Sequence, residues 1–239
     1  MSATNTKTAF GRICPPRDAW LATAADEPII DPDLPIIDTH HHLWHRRGAS
    51  AGAGEMRYLL DEFLADCNTG HNVIGSVFLQ CHAMHRNAGP APMRPVGETE
   101  FVAGIAAMSD SGGYGRHAGK QAEVFAEWKT SVNELATCPN VTMKLGGMMM
   151  RLAALDYMAL DRPPTSEELA NHWRPYVATC IELFGADRCM AESNFPVEKM
   201  GIGFASLFNA LKRIAAGCSA DEKVAIFADT ARRVYRLDC

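Results

Sequence analysis

Two histidines one residue apart, His40 and His42, close the short apolar run that begins at Ile36-Ile37. Successive strand residues alternate faces, so a strand over Ile36 to His40 puts Asp38, His40 and His42 on one side and His41 on the other. Two imidazoles at the end of one strand can share a divalent cation, because neutral imidazole is the commonest protein ligand for zinc and a catalytic site needs only three protein ligands plus water. Nine histidines in 239 residues also fall as His-x-His by chance. The apolar strand in front of this pair favours the metal reading.

Other polar residues occupy comparable positions. Lys144 interrupts the apolar run Val141 to Leu145, and an ammonium there can hold a substrate carboxylate or a developing oxyanion. Burying an unpaired lysine is costly, which favours a paired or functional role. His82 and His85 follow the run Val73 to Leu79, in a strand-end loop suited to contacting an anionic substrate. Glu192 and Asn194 follow a last apolar run, Arg188 to Ala191, and share a face if the pleat continues. An amide cannot be a general base at neutral pH, so Glu192 is the alternative carboxylate, with a solvated or salt-bridged glutamate as the plainer reading.

The elements that must position these groups alternate between strand and helix. Leu59, Leu60, Phe63 and Leu64 recur at helical spacing, with Gly70 as the stop, and a second helix is expected over Glu98 to Met108. Ala122 to Ala136 reads as a third. Thr165 with Glu168, and Ser219 with Glu222, have the spacing of capping boxes, each opening a further helix. Residues 1–33 are polar and punctuated by proline and read as an N-terminal arm; residues 34–239 read as one α/β domain.

These pieces together resemble the amidohydrolase-related family, in the branch similar to 2-pyrone-4,6-dicarboxylate lactonase and fuconolactone hydrolase. The resemblance is carried by Asp38-Thr39-His40-His41-His42-Leu43-Trp44, by Asn72 to Phe78, by Val96 to Val102, by Pro139 to Gly147 and by Asp187 to Pro196. It implies a TIM-barrel-like (β/α) fold with the site at the C-terminal strand ends, and a hydrolase acting on a small cyclic ester, amide or related carboxylated compound. His40 and His42 would be the metal ligands, Asn194, Glu192 and Lys144 the catalytic residues, and His82 and His85 the substrate contacts. Zinc or manganese is the implied cofactor, although similar lactonases also work without metal.

Two departures stand out. A barrel of this type takes about 250 residues, roughly 30 per unit, yet only about four parallel strands are legible. The interval from Cys81 to Val141 reads as helices and Gly/Pro-rich loops, and an internal deletion is expected near residues 112–119. Members of the family usually carry Asp where this chain has Asn194. A catalytically impaired enzyme, or a non-catalytic remnant acting through self-association, is therefore the alternative to an active hydrolase. Strands left without neighbours would favour a homodimer.

The resemblance implies a small-molecule substrate as partner, and composition argues against nucleic acid and membrane. A net charge of -5 and 21% charged residues offer no bulk attraction to nucleic acid or anionic membrane. Neither a spanning segment nor a compact secretory core is legible, so cytoplasm is the expected compartment. The eight cysteines include no C-x-x-C pair, against a zinc ribbon.

Overall fold

The computed structural model describes residues 16–47, 56–79, 121–147, 157 and 160–239. In chain order these form α1 (Asp18–Leu21), β1 (Ile36–His41), β2 (Trp44–Arg47), β3 (Met56–Tyr58), α2 (Leu60–Cys67), β4 (Val73–Phe78), α3 (Gln121–Ala136), β5 (Met143–Leu145), α4 (Ser166–Phe184), β6 (Cys189–Ala191), α5 (Phe204–Ile214), α6 (Ala220–Val224) and α7 (Thr230–Tyr235). A π-helical segment, Ala225–Asp229, joins the last two.

β1 pairs in parallel with β4, with Ile36 beside Val73 and His41 beside Phe78. β5 pairs in parallel with β6. The two pairs meet just beyond β6: His41 bridges Phe195, the Asn194 N–H donates to the His40 carbonyl at 2.7 Å, and the His42 N–H donates to the Phe195 carbonyl at 2.7 Å. Thr39 Oγ1 adds a bond to the Ala191 carbonyl at 2.9 Å. The strands thus run in the order β4, β1, β6, β5, all parallel, so that their C-terminal ends share one side.

The four parallel strands are those legible in the sequence, with β5 two residues shorter than the run Val141 to Leu145. The antiparallel pair β2 and β3 has no counterpart in the sequence reading. It buries Trp44 and Tyr58. Among the described residues the strands do not close into a barrel. The expected helix over Glu98 to Met108 and the expected deletion near 112–119 lie outside the described residues.

Helix boundaries follow local chemistry. Glu168 N–H donates to Thr165 Oγ1 at 3.2 Å while the Thr165 N–H donates to Glu168 Oε2 at 2.8 Å, a reciprocal cap for α4. Gly185, with φ +79°, ends that helix. α5 packs along α4, and Phe204, Leu207, Phe208 and Leu211 enter the core with Trp173 and Val177 of α4. Each such side chain contributes about 1.5–3 kcal/mol when fully buried. Asn209 of α5 also fixes the segment ahead of β1, accepting from the Ile30 N–H at 2.8 Å and donating to the Pro28 carbonyl at 3.0 Å. None of the helices among the described residues is long and apolar enough to cross a membrane.

Candidate active site

Period-two alternation separates the three consecutive histidines. His41 turns into the core and stacks on Phe63 with ring centroids 4.0 Å apart. Burial, followed by the neighbouring His42 and His40, pushes its pKa down to about 4, so its ring is neutral at pH 7. His40 and His42 turn the other way, and their Nε2 atoms lie 3.1 Å apart.

The bonds at the far side of each ring assign its proton. His42 Nδ1 lies 2.8 Å from the Leu79 carbonyl oxygen, which can only accept, so this nitrogen carries the hydrogen. His40 Nδ1 lies 3.1 Å from Glu192 Oε2, and a carboxylate there likewise makes it the donor. Both Nε2 lone pairs then face one another. At that separation their repulsion is relieved either by a proton on one Nε2, shared as an N–H···N hydrogen bond, or by a cation held by both. Zinc at its usual distance from two imidazole nitrogens in tetrahedral geometry holds them roughly 3.3 Å apart, close to what is observed. A ligand imidazole braced by a carboxylate or carbonyl is the usual supporting arrangement. The pair therefore fits as half of a metal site. Among the described residues no group of three His, Cys, Asp or Glu side chains is placed to hold a metal.

Glu192 is 4% exposed and central to the arrangement. Besides His40, its Oε2 lies 3.6 Å from Lys144 Nζ. Lys144 also donates to the Thr39 carbonyl at 2.6 Å, so the ammonium is paired and not stranded in the strand. Gly146, next along from β5, leaves the space Glu192 fills: a Cβ there would lie 2.1 Å from Glu192 Cγ.

Asp38, wholly buried, organises the rim from below. Its Oδ1 accepts from the Ser193 N–H at 2.8 Å and the His40 N–H at 3.2 Å, and its Oδ2 from Ser193 Oγ at 2.5 Å. Burial pushes its pKa up to about 6 against those bonds. Asn194 follows with φ 54°, a left-handed conformation that asparagine tolerates better than most residues. The turn carries its side chain to Glu198, whose Oε1 accepts from Asn194 Nδ2 at 3.3 Å.

The structure thus brings together His40, His42, Glu192 and Lys144, with Asn194 joined to His40 through the backbone. His82 and His85 lie outside the described residues. Sequence reasoning missed Glu198, which in Val197-Glu198-Lys199 reads as one more surface charge; its spacing of four from Asn194 was the available signal. It is 2% exposed, and its Oε2 has no hydrogen-bond partner among the described residues. Burial, reinforced by the charge of Glu192 and opposed by the Asn194 bond, pushes its pKa up to about 8.

That displacement has a defined sign. Between the ordinary value of 4.5 and about 8 the folded protein holds a proton that the unfolded chain has released, so stability falls as pH rises through this window. We expect Glu198→Gln, which cannot ionise, to be more stable than the wild type above pH 8, by on the order of a few kcal/mol, with the difference fading towards pH 4.5. Urea unfolding of both proteins at several pH values measures it, and a pH-independent difference would refute it.

An α/β protein with paired histidines and a buried carboxylate at its strand ends is the class defined so far. The chain belongs to the amidohydrolase family, whose profile matches residues 107–237. That span includes Lys144, Glu192, Asn194 and Glu198; the histidine pair precedes it. A curated relative, the uncharacterized protein y4mH of Sinorhizobium fredii, is 37% identical over 113 residues, covering 47% of this chain and 34% of that protein. The chain therefore matches about a third of the length of that relative. Among solved structures, an amidohydrolase from Burkholderia multivorans with bound zinc is 18% identical over 84% of this chain and 99% of its own, with a TM-score of 0.49. Amidohydrolase 2 from Bifidobacterium longum subsp. infantis is 21% identical over 86% of this chain and 100% of its own, with a TM-score of 0.43.

Proposed function

We propose that this chain is a metal-assisted hydrolase of a small cyclic ester or amide, or of a related carboxylated compound, on a TIM-barrel-like (β/α) frame that is incomplete around its strands. The single observation that carries this reading is the pair of facing Nε2 atoms, each backed by an acceptor at Nδ1.

His40 and His42 would hold zinc or manganese, which supplies an acidified water and polarises the carbonyl under attack. The chain's own residues do the rest. Glu192 fixes the His40 ring and its tautomer, and the Leu79 carbonyl does the same for His42. Lys144 donates one N–H to the Thr39 carbonyl and pairs electrostatically with Glu192 at 3.6 Å; its ammonium would also attract a substrate carboxylate or a developing oxyanion. Asn194 orients substrate or water by hydrogen bonding and cannot itself take a proton. Glu192 meets the pair at His40 Nδ1, on the side of the ring away from Nε2, so it acts through that ligand, and the proton released as water attacks passes to solvent.

The test is direct. Purified protein is titrated with zinc or manganese, its metal content measured, and each loaded form assayed against five- and six-membered lactones and lactams with and without a carboxylate. Binding near one metal per chain with turnover of at least one ring compound is expected. A folded sample that takes up neither metal and opens none of the rings would favour the non-catalytic reading instead.

A further inference from the structure

Asn194 and Glu198 form an acid–amide pair behind the histidines, and the chemistry derived so far leaves Glu198 without a role. Resting on the hydrolase reading of this site, we propose that Glu198 is its positioning residue: its buried carboxyl group holds Asn194 by Nδ2, so that the amide oxygen is presented as a hydrogen-bond acceptor. Four observations carry this. Glu198 is 2% exposed, and a carboxyl group is costly to bury for packing alone. Its Oε1 accepts from Asn194 Nδ2 at 3.3 Å, an orientation that turns the amide oxygen away from the carboxyl group. Asn194 itself stands in a left-handed turn whose N–H is tied to the His40 carbonyl, so the side chain starts from a fixed point on the rim. The fourth is the small cavity, about 10 Å³, that Glu198 shares with Glu192, Gly146 and Gly147; it is at the lower limit for a single water.

The planar amide places its oxygen on the side opposite the nitrogen that Glu198 holds. Asn194 is thereby an acceptor for the O–H of water or the N–H or O–H of a substrate. Were the amide reversed, it would offer a donor instead. Glu198 acts through Asn194 and touches no reacting atom. The titratable groups facing it are Glu192, whose charge opposes its ionisation, and Tyr157, whose hydroxyl feels the Glu198 charge and donates nothing to it among the described residues.

The experiment follows the amide directly. In protein labelled with ¹⁵N at asparagine, the Asn194 side-chain NH₂ signal, assigned by its loss in Asn194→Asp, should exchange with solvent at least about tenfold more slowly than exposed amides, as one buried hydrogen bond implies. Its shift should titrate with a midpoint near pH 8, the value to which Glu198 is raised. Glu198→Gln, whose carbonyl can still accept, should keep the protection and lose the titration; Glu198→Leu should lose both. Fast exchange in the wild type, or a titration that survives in Glu198→Gln, overturns the proposal, and the glutamine variant alone decides if the leucine variant does not fold. In zinc-loaded protein, on a lactone that the wild type opens, Glu198→Leu should lower kcat about tenfold or more with KM changed less than about twofold, and Glu198→Gln should recover most of the loss; equal rates in all three overturn the positioning role. If the wild type opens no lactone, the hydrolase reading fails while the exchange and titration still decide Glu198.

Discussion

Loss of either imidazole, in His40→Ala or His42→Ala, is expected to weaken zinc binding about a hundredfold or more, to the level of adventitious surface binding. The argument is one of ligand number. Two facing nitrogens account for the protein's share of the site among the described residues, so removal of one leaves a single imidazole, which cannot hold zinc against water. His41→Ala is the internal comparison. Its ring packs on Phe63 and faces away from the pair, so the variant should lose about 2 kcal/mol of stability through the cavity it leaves, yet bind zinc as the wild type does. Isothermal titration with zinc, paired with urea unfolding, separates the two effects. Equal zinc affinity in all three variants would show that the metal sits elsewhere.

A single methyl group should do comparable damage from the opposite side of the site. In Gly146→Ala the new Cβ would lie 2.1 Å from Glu192 Cγ, 2.9 Å from its Cδ and 2.9 Å from its backbone oxygen. The side chain can swing away, but the backbone oxygen belongs to the segment just past β6 and cannot. Glu192 must therefore leave His40 and Lys144, and the strand ends must part. We expect about 3 kcal/mol of destabilisation, as for an overpacked core, and a 10–100-fold loss of zinc affinity, the usual consequence of removing a carboxylate that braces a ligand histidine. Gly203→Ala is the control, since nothing lies within 4 Å of its added Cβ; it should change stability by no more than about 0.5 kcal/mol. Zinc affinity preserved in a folded Gly146→Ala protein would show that Glu192 does not brace the site.

How much of this was legible depended on whether the signal was local. Strand period put His40 and His42 on one face and turned His41 inward, and capping spacing at Thr165 and Ser219 placed the starts of α4 and α6. Each of these is decided by residues within one turn or one pleat. Glu192 was legible as a polar residue past a strand, but its partner His40 is 152 positions away, and no local pattern reports such a contact. Glu198 was illegible for a different reason: a glutamate beside a lysine looks solvated, and only the turn at Asn194 carries it indoors. The pair β2 and β3 escaped notice because its strands are short and separated by an Ala/Gly-rich stretch with no alternation of its own.

The bridge from His41 to Phe195 also bears on how the site comes into being. Its parts come from stretches that are each continuous, 36–42 and 191–198, yet the bonds between them close loops of about 155 residues, as in Ser193 to Asp38. Chain entropy for so long a closure grows only with the logarithm of length, about 0.6 kcal/mol for each doubling. The intervening segment can therefore lengthen or shorten greatly while the cost of bringing its ends together scarcely changes. Contacts of such high sequence separation form slowly, because little rewards the chain until the ends have met. Assembly of the histidine pair with its glutamate is thus coupled to a long-range closure of the chain, so that metal affinity reports that closure and not the formation of either half.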